Sequence, residues 1–164
     1  MFIKDKKRLK KKDIYVIIIL KVKTRGKHLF KFNEVLSENK VKSLSSIVLA
    51  FVGDAVYSLF VREKLVAVSD AKTGELNKLS SQVVCAKAQA KKIDNLFEIL
   101  TDEEKDIFKR ARNAKKGAKA KNASVVEYNK STGFEAVVGY LYLLGRYDRL
   151  DYLLNYEVND ENWR

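Results

Sequence analysis

The chain has 164 residues, 46% of them hydrophobic and 33% charged, and it carries a net charge of +12. That is enough for one packed domain, and the charge favours a polyanionic partner, nucleic acid ahead of an anionic membrane surface. Single copies of cysteine and histidine exclude an intramolecular disulfide framework and a Cys-rich zinc site, leave only His28 for a histidine-assisted nucleophile, and fit a reducing cytoplasm.

Residues 1–43 read as a basic, poorly ordered N-terminal extension. They hold 14 Lys/Arg against 4 Asp/Glu, whereas the remainder holds 19 against 17. An apolar run, Ile14 to Leu20, follows Lys10-Lys11-Lys12 and is closed by Lys21 and Lys23. It is far shorter than the roughly 20 residues of a spanning helix, and no small-residue cleavage motif follows it. Its β-branched content suggests an isolated strand or a sticky segment that needs cover.

From Leu44 the text becomes helical, and residues 44–164 read as the working domain. Leu44 to Val66 is almost continuously apolar, which predicts a buried helix. Thr73 is a candidate cap for a helical region running from Glu75 to about Leu100, with Cys85 inside it as a small packing residue. Thr101-Asp102-Glu103-Glu104 forms a capping box with three acids in the first turn, so a new helix starts there and continues to about Asn113. Lys115 to Ser124 reads as a loop. Another helix is expected from about Tyr128 to Leu144, ended by Gly145, and a last amphipathic one uses Leu150, Leu153 and Leu154. The body is predicted to be all-α, a helical bundle.

Two acids interrupt the most apolar helices: Asp54 in Phe51-Val52-Gly53-Asp54-Ala55, and Glu135 in Gly133-Phe134-Glu135-Ala136-Val137-Val138-Gly139. An isolated ionised carboxylate in such surroundings costs several kcal/mol. Each acid alone can be a hydrogen-bonded core residue. Two of them in two apolar helices suggest a helix pair converging on a divalent cation, with Gly53 and Gly139 allowing the backbones to approach closely.

Between the acids, Lys109, Arg110, Arg112, Lys115, Lys116, Lys119 and Lys121 give seven positive charges and no acid over residues 109–122. A charge run is commonly a solvated face. Here small residues separate the charges and a glycine-bearing loop follows a helix end, which suits phosphate contacts along a duplex rather than stacking on unpaired bases.

Phe51-Val52-Gly53-Asp54-Ala55 resembles the signature helix of the ribonuclease III family, and Phe134-Glu135-Ala136-Val137-Val138-Gly139-Tyr140 resembles its second metal-binding helix. With Lys109-Arg110-Ala111-Arg112-Asn113-Ala114-Lys115, Lys121-Asn122, Tyr128 and Ser131-Thr132 between them, residues 44–157 are similar to the Mini-ribonuclease III group, which lacks a double-stranded RNA-binding domain. The resemblance implies a homodimeric endonuclease of double-stranded RNA, with Asp54 and Glu135 as catalytic and metal-binding residues. Mg²⁺ is the implied cofactor, for which Mn²⁺ can substitute, and the basic residues position RNA. It further implies maturation of the precursor of large-subunit (23S) ribosomal RNA in the cytoplasm, helped by a ribosomal protein and without a membrane.

Full-length members carry further acids where this chain has Ile47, Ala50 and Thr132, so waters and RNA oxygens are expected to complete the metal's shell. A non-catalytic duplex-RNA-binding assembly factor is the alternative. A peripheral membrane role would explain the N-terminus but neither acid. Leu44, Ile47, Val48 and Phe51 are candidates for an isologous interface.

Overall fold

Ser37, Ser45, Thr101 and Ser124 each turn a side-chain oxygen onto the backbone N–H three residues ahead, and each starts a helix. A computed structural model describes residues 35–115 and 123–156. In chain order these form α1 (Glu38–Ser43), α2 (Ser46–Val68), α3 (Thr73–Val84), α4 (Ala86–Leu96), a 3₁₀ turn (Phe97–Ile99), α5 (Asp102–Asn113), α6 (Val125–Leu143) and α7 (Tyr147–Asn155). The all-α expectation holds, with no strand among the described residues.

The centre is α6. From Ser131 to Leu141 only Glu135 is not buried, because α2, α4, α5 and α7 all pack on it. A helix apolar on every side is stable only when enclosed in this way. Capping boxes at Thr101/Glu104 and Ser124/Glu127 fix the starts of α5 and α6. The second of these sets the start of α6 three residues before the expected Tyr128. Gly145, at φ +66°, ends α6. Its N–H bonds the Tyr142 carbonyl and the next N–H, of Arg146, bonds that of Leu141, a left-handed closure that a residue without Cβ adopts at no steric cost.

Several expectations change. Residues 35–43, assigned from sequence to the N-terminal extension, are attached to the body: Val41 is fully buried, and the Leu36 N–H bonds the Leu143 carbonyl at 3.1 Å. The helical region from Glu75 to Leu100 is two helices, broken where Cys85 takes an extended backbone (φ −69°, ψ 152°). The β-branched pair Val83-Val84 weakens helix continuation at that point, and the break lets α4 lie along α6. The cap of α3 is Lys72 rather than Thr73, with no side-chain bond, and Cys85 is exposed rather than packed.

A further change concerns α2. It buries Leu49, Ala50, Gly53, Val56, Tyr57, Phe60, Val61, Lys64 and Leu65, a regular i, i+3, i+4 face. The opposite face is open in the single chain, so α2 is not the fully buried helix that its composition predicts. Leu44 packs partly buried against the core, while Ile47, Val48 and Phe51 are exposed, Phe51 at 80%.

Candidate active site

The two acids are brought together by glycine. A Cβ built on Gly53 would lie 1.7 Å from the Glu135 carbonyl oxygen and 2.8 Å from the Gly139 nitrogen. A Cβ on Gly139 would lie 2.0 Å from the Leu49 carbonyl oxygen and 2.9 Å from the Gly53 nitrogen. So α2 and α6 touch backbone to backbone at this crossing, and no larger residue fits either position. One turn further along, the Tyr57 and Phe134 rings meet edge-on at 4.9 Å and hold the same pair of helices together. Asp54 follows Gly53 and Glu135 is itself part of the crossing.

Both acids line one open cleft of about 510 Å³. Asp54 is exposed and Glu135 half-buried, which corrects the expectation of two carboxylates sealed in apolar helices. Asp54 stands at the edge of the buried face of α2, on the open cleft, so its carboxylate keeps access to water. Ile47, Ala50 and Phe51 form the apolar side of the cleft, Tyr128, Ser131 and Thr132 its α6 side, and Ala86 and Lys115 close its rim.

Thr132, at a position where full-length relatives would supply an aspartate, turns its hydroxyl onto the Tyr128 carbonyl at 3.0 Å, and the Ser131 hydroxyl donates to the same oxygen at 2.9 Å. Among the described residues no group of three or more His, Cys, Asp or Glu side chains could hold a metal ion. Asp54 and Glu135 thus offer two carboxylates to an open cleft. Hard oxygen ligands with room left for water suit Mg²⁺ or Mn²⁺, and they do not suit a structural zinc site.

The basic residues separate by position. Lys115 is exposed and lines the cleft beside the acids. Lys109, Arg110 and Arg112 lie on α5 and are absent from the cleft lining. Arg110 pairs with Asp106 at 3.1 Å. Arg112 lies over the Phe108 ring at 5.7 Å and donates to the Asn113 side-chain oxygen. Lys116, Lys119 and Lys121 lie outside the described residues.

Sequence reasoning missed the polar frame at the other end of α6. There Glu103 accepts from the Tyr140 hydroxyl at 2.5 Å and from Arg146 at 2.6 Å. The Tyr140 bond, then the Arg146 bond, hold the Glu103 carboxyl below the usual range. Burial, followed by the Glu103 bond, pushes the Tyr140 phenol upward. Glu104 is buried against Arg149, which donates to both its oxygens at 2.9 and 2.7 Å. Partners 45 residues apart leave no local signal in a sequence.

The fold and cleft define a ribonuclease III domain, and the sequence profile described as "Ribonuclease III domain" matches residues 47–146. The chain is 46% identical over 125 residues to Mini-ribonuclease 3 of Thermoanaerobacter sp., a match covering 76% of this chain and 88% of that one. It is 44% identical over 129 residues to Mini-ribonuclease 3 of Staphylococcus aureus, covering 77% and 96%. A crystal structure of a Fusobacterium nucleatum protein superposes with a TM-score of 0.64 at 31% identity, covering 71% of this chain and 93% of that one. The chain belongs to the Mini-ribonuclease 3 family, and membership in this family of ribonucleases makes RNA its class of substrate.

Proposed function

We propose that this chain is a Mg²⁺-dependent endonuclease of double-stranded RNA that works as a homodimer in the cytoplasm. The observation that carries the reading is the meeting of Asp54 and Glu135 in one open cleft at a glycine-tight helix crossing. Two carboxylates facing a phosphate would repel it, so the arrangement makes sense for RNA only with a cation between them. Bound by these two residues, Mg²⁺ or Mn²⁺ supplies Lewis-acid polarisation of the phosphoryl oxygens and a more acidic water.

The chain's own residues supply the rest. Asp54 and Glu135 hold the cation and orient the attacking water. The α5 cations Lys109, Arg110 and Arg112, together with Lys115, Lys116, Lys119 and Lys121, position the duplex through its phosphates without reading sequence. The exposed apolar stripe of α2 packs on a second copy, and each subunit cuts one strand to leave 5′-phosphate and 3′-hydroxyl ends. The fitting natural substrate is the precursor of large-subunit (23S) ribosomal RNA, with a ribosomal protein assisting.

The deciding experiment is cleavage of a long duplex RNA in Mg²⁺ or in EDTA, comparing wild type with Asp54→Asn. Metal-dependent cutting that falls at least about 100-fold in the variant, with duplex binding retained, is expected for a residue acting only on the reacting phosphate. Tight duplex binding without cutting by the wild type would favour a non-catalytic assembly factor.

A further inference from the structure

Charge is divided very unevenly between the described body and the segment before it. The described residues hold 17 Lys/Arg against 15 Asp/Glu, while residues 1–34 hold 12 against 3. In the body, Lys42, Arg110, Lys130, Arg146 and Arg149 already pair with carboxylates. The body that carries the cleft is thus close to neutral, and its Asp54 and Glu135 repel a phosphate backbone. Whatever pairs form within residues 1–34, three acids leave nine of the twelve cations there uncancelled.

That segment joins the body at a fixed point. The Leu36 N–H bonds the Leu143 carbonyl at 3.1 Å, and Val35 lies against Gly145, where a Cβ would come within 2.7 Å of its side chain. Val41 is fully buried. Lys42 pairs with Glu38 and, at 3.6 Å, with Glu103, which also holds Tyr140 and Arg146. Residues 35–43 are therefore tied to α5 and to the end of α6. Leu143 is eight residues beyond Glu135 on α6, about 12 Å along the helix axis at 1.5 Å per residue. About four residues of extended chain cover that distance, so RNA seated in the cleft lies within reach of cations that precede Val35.

We infer that residues 1–34 are a second RNA-binding element, which grips phosphates of the same duplex that enters the cleft; this rests on the reading of that cleft as a site for duplex RNA. Lys6-Lys7-Arg8 and Lys10-Lys11-Lys12 place six cations in seven residues. Such a density displaces the counterions condensed on a phosphate backbone without reading its sequence. Two contacts made by one chain on one RNA reinforce each other. Once the cleft is occupied, the tethered cations meet the neighbouring phosphates at a high effective concentration. The near-neutral body then supplies orientation, and the segment supplies most of the long-range attraction. An anionic membrane would satisfy the same cations, but RNA is already the substrate class of the body to which they are tied.

The test compares the full-length wild type with a full-length variant in which Lys6, Lys7, Arg8, Lys10, Lys11 and Lys12 are all changed to Gln. Duplex RNA Kd is measured without divalent ion between about 50 and 200 mM KCl. In the middle of that range the variant should bind at least about tenfold more weakly, and its slope of log Kd against log salt should be shallower by at least about 3. Its melting temperature should match that of wild type, because the contacts of Val35 to Lys42 are unchanged. An unaltered Kd and slope would overturn the proposal. So would wild type that binds vesicles of about one-third phosphatidylserine where the variant does not, while both hold RNA equally; the segment would then belong to a membrane surface. Cleavage in Mg²⁺ is scored separately at saturating protein. Wild type that binds RNA through these six cations yet never cuts it would leave the second element standing and remove the nuclease reading.

Discussion

Glu104 shows how a buried charge is tolerated in this protein. Its side chain is 2% exposed, and burial alone would drive the carboxyl towards neutrality. The Arg149 hydrogen bonds and the Thr101 backbone N–H outweigh burial and leave the pKa lowered. One carboxylate thus caps α5 and ties α7 to it, while Arg149 also reaches the Ile99 carbonyl at 2.7 Å. Removing Arg149 leaves that carboxylate buried with only the Thr101 contacts. Arg149→Ala should therefore destabilise the fold by about 2 kcal/mol at neutral pH, below the usual range for a buried pair because Arg149 is partly exposed. With its folded-state pKa depressed, Glu104 contributes stability that is complete above the ordinary glutamate value of about 4.3 and is lost as pH falls through the lower folded value. Thermal melts from pH 7 to pH 3 should show the gap between wild type and Arg149→Ala narrowing in that acid window. A gap independent of pH would mean that Arg149 acts through packing alone.

The crossing of α2 and α6 is the element-scale device on which the site depends. Gly53→Ala would place a methyl 1.7 Å from the Glu135 carbonyl oxygen, and Gly139→Ala one 2.0 Å from the Leu49 carbonyl oxygen. Backbone cannot swing aside as a side chain can, so the helices must part. Each variant should lose about 3 kcal/mol and most of its cleavage, since the parting moves Asp54 relative to Glu135. Gly74, where an added methyl would have nothing within 4 Å, is the contrast: Gly74→Ala in the first turn of α3 should gain about 0.5 kcal/mol. Circular-dichroism melts of the three variants check both signs. These glycines were legible in sequence because glycine in an apolar helix needs a reason, and close approach is the usual one. The caps at Thr101 and the stop at Gly145 were legible for the same kind of local reason. The break at Cys85 was not, because helical periodicity continues on both sides and only the packing of α4 on α6 requires the turn. The exposed setting of Asp54 was hidden too, since a helix apolar on every side does not declare which face its neighbours leave open. Helix α1 was masked by Lys40 and Lys42, with Val41 as its single buried anchor.

At the scale of the molecule, that open face is the unmet demand of the fold. Along α2, Ile47 is 39% exposed, Val48 44%, Phe51 80%, Leu59 40% and Val66 65%. They form an apolar stripe along a helix about 34 Å long at 1.5 Å per residue. A stripe of this kind is covered most simply by its own copy about a two-fold axis, which buries the same residues on both partners. Asp54 lies on the same helix, so that packing would also set two clefts at a fixed separation, as cutting both strands of a duplex requires. Val48 is exposed and lies outside the cleft lining, so Val48→Glu changes the stripe without touching the site. Wild type should sediment at twice the 18.8 kDa chain mass, and Val48→Glu at the chain mass, with its thermal stability lowered only through loss of the partner. On duplex RNA the dimer should release double-strand breaks within one binding event. The monomeric variant, with Asp54, Glu135 and Lys115 intact, should leave mostly single-strand nicks. Wild type that sediments as a monomer and still makes double-strand breaks would separate the stripe from the cutting of two strands, and would assign the exposed face of α2 to a different partner.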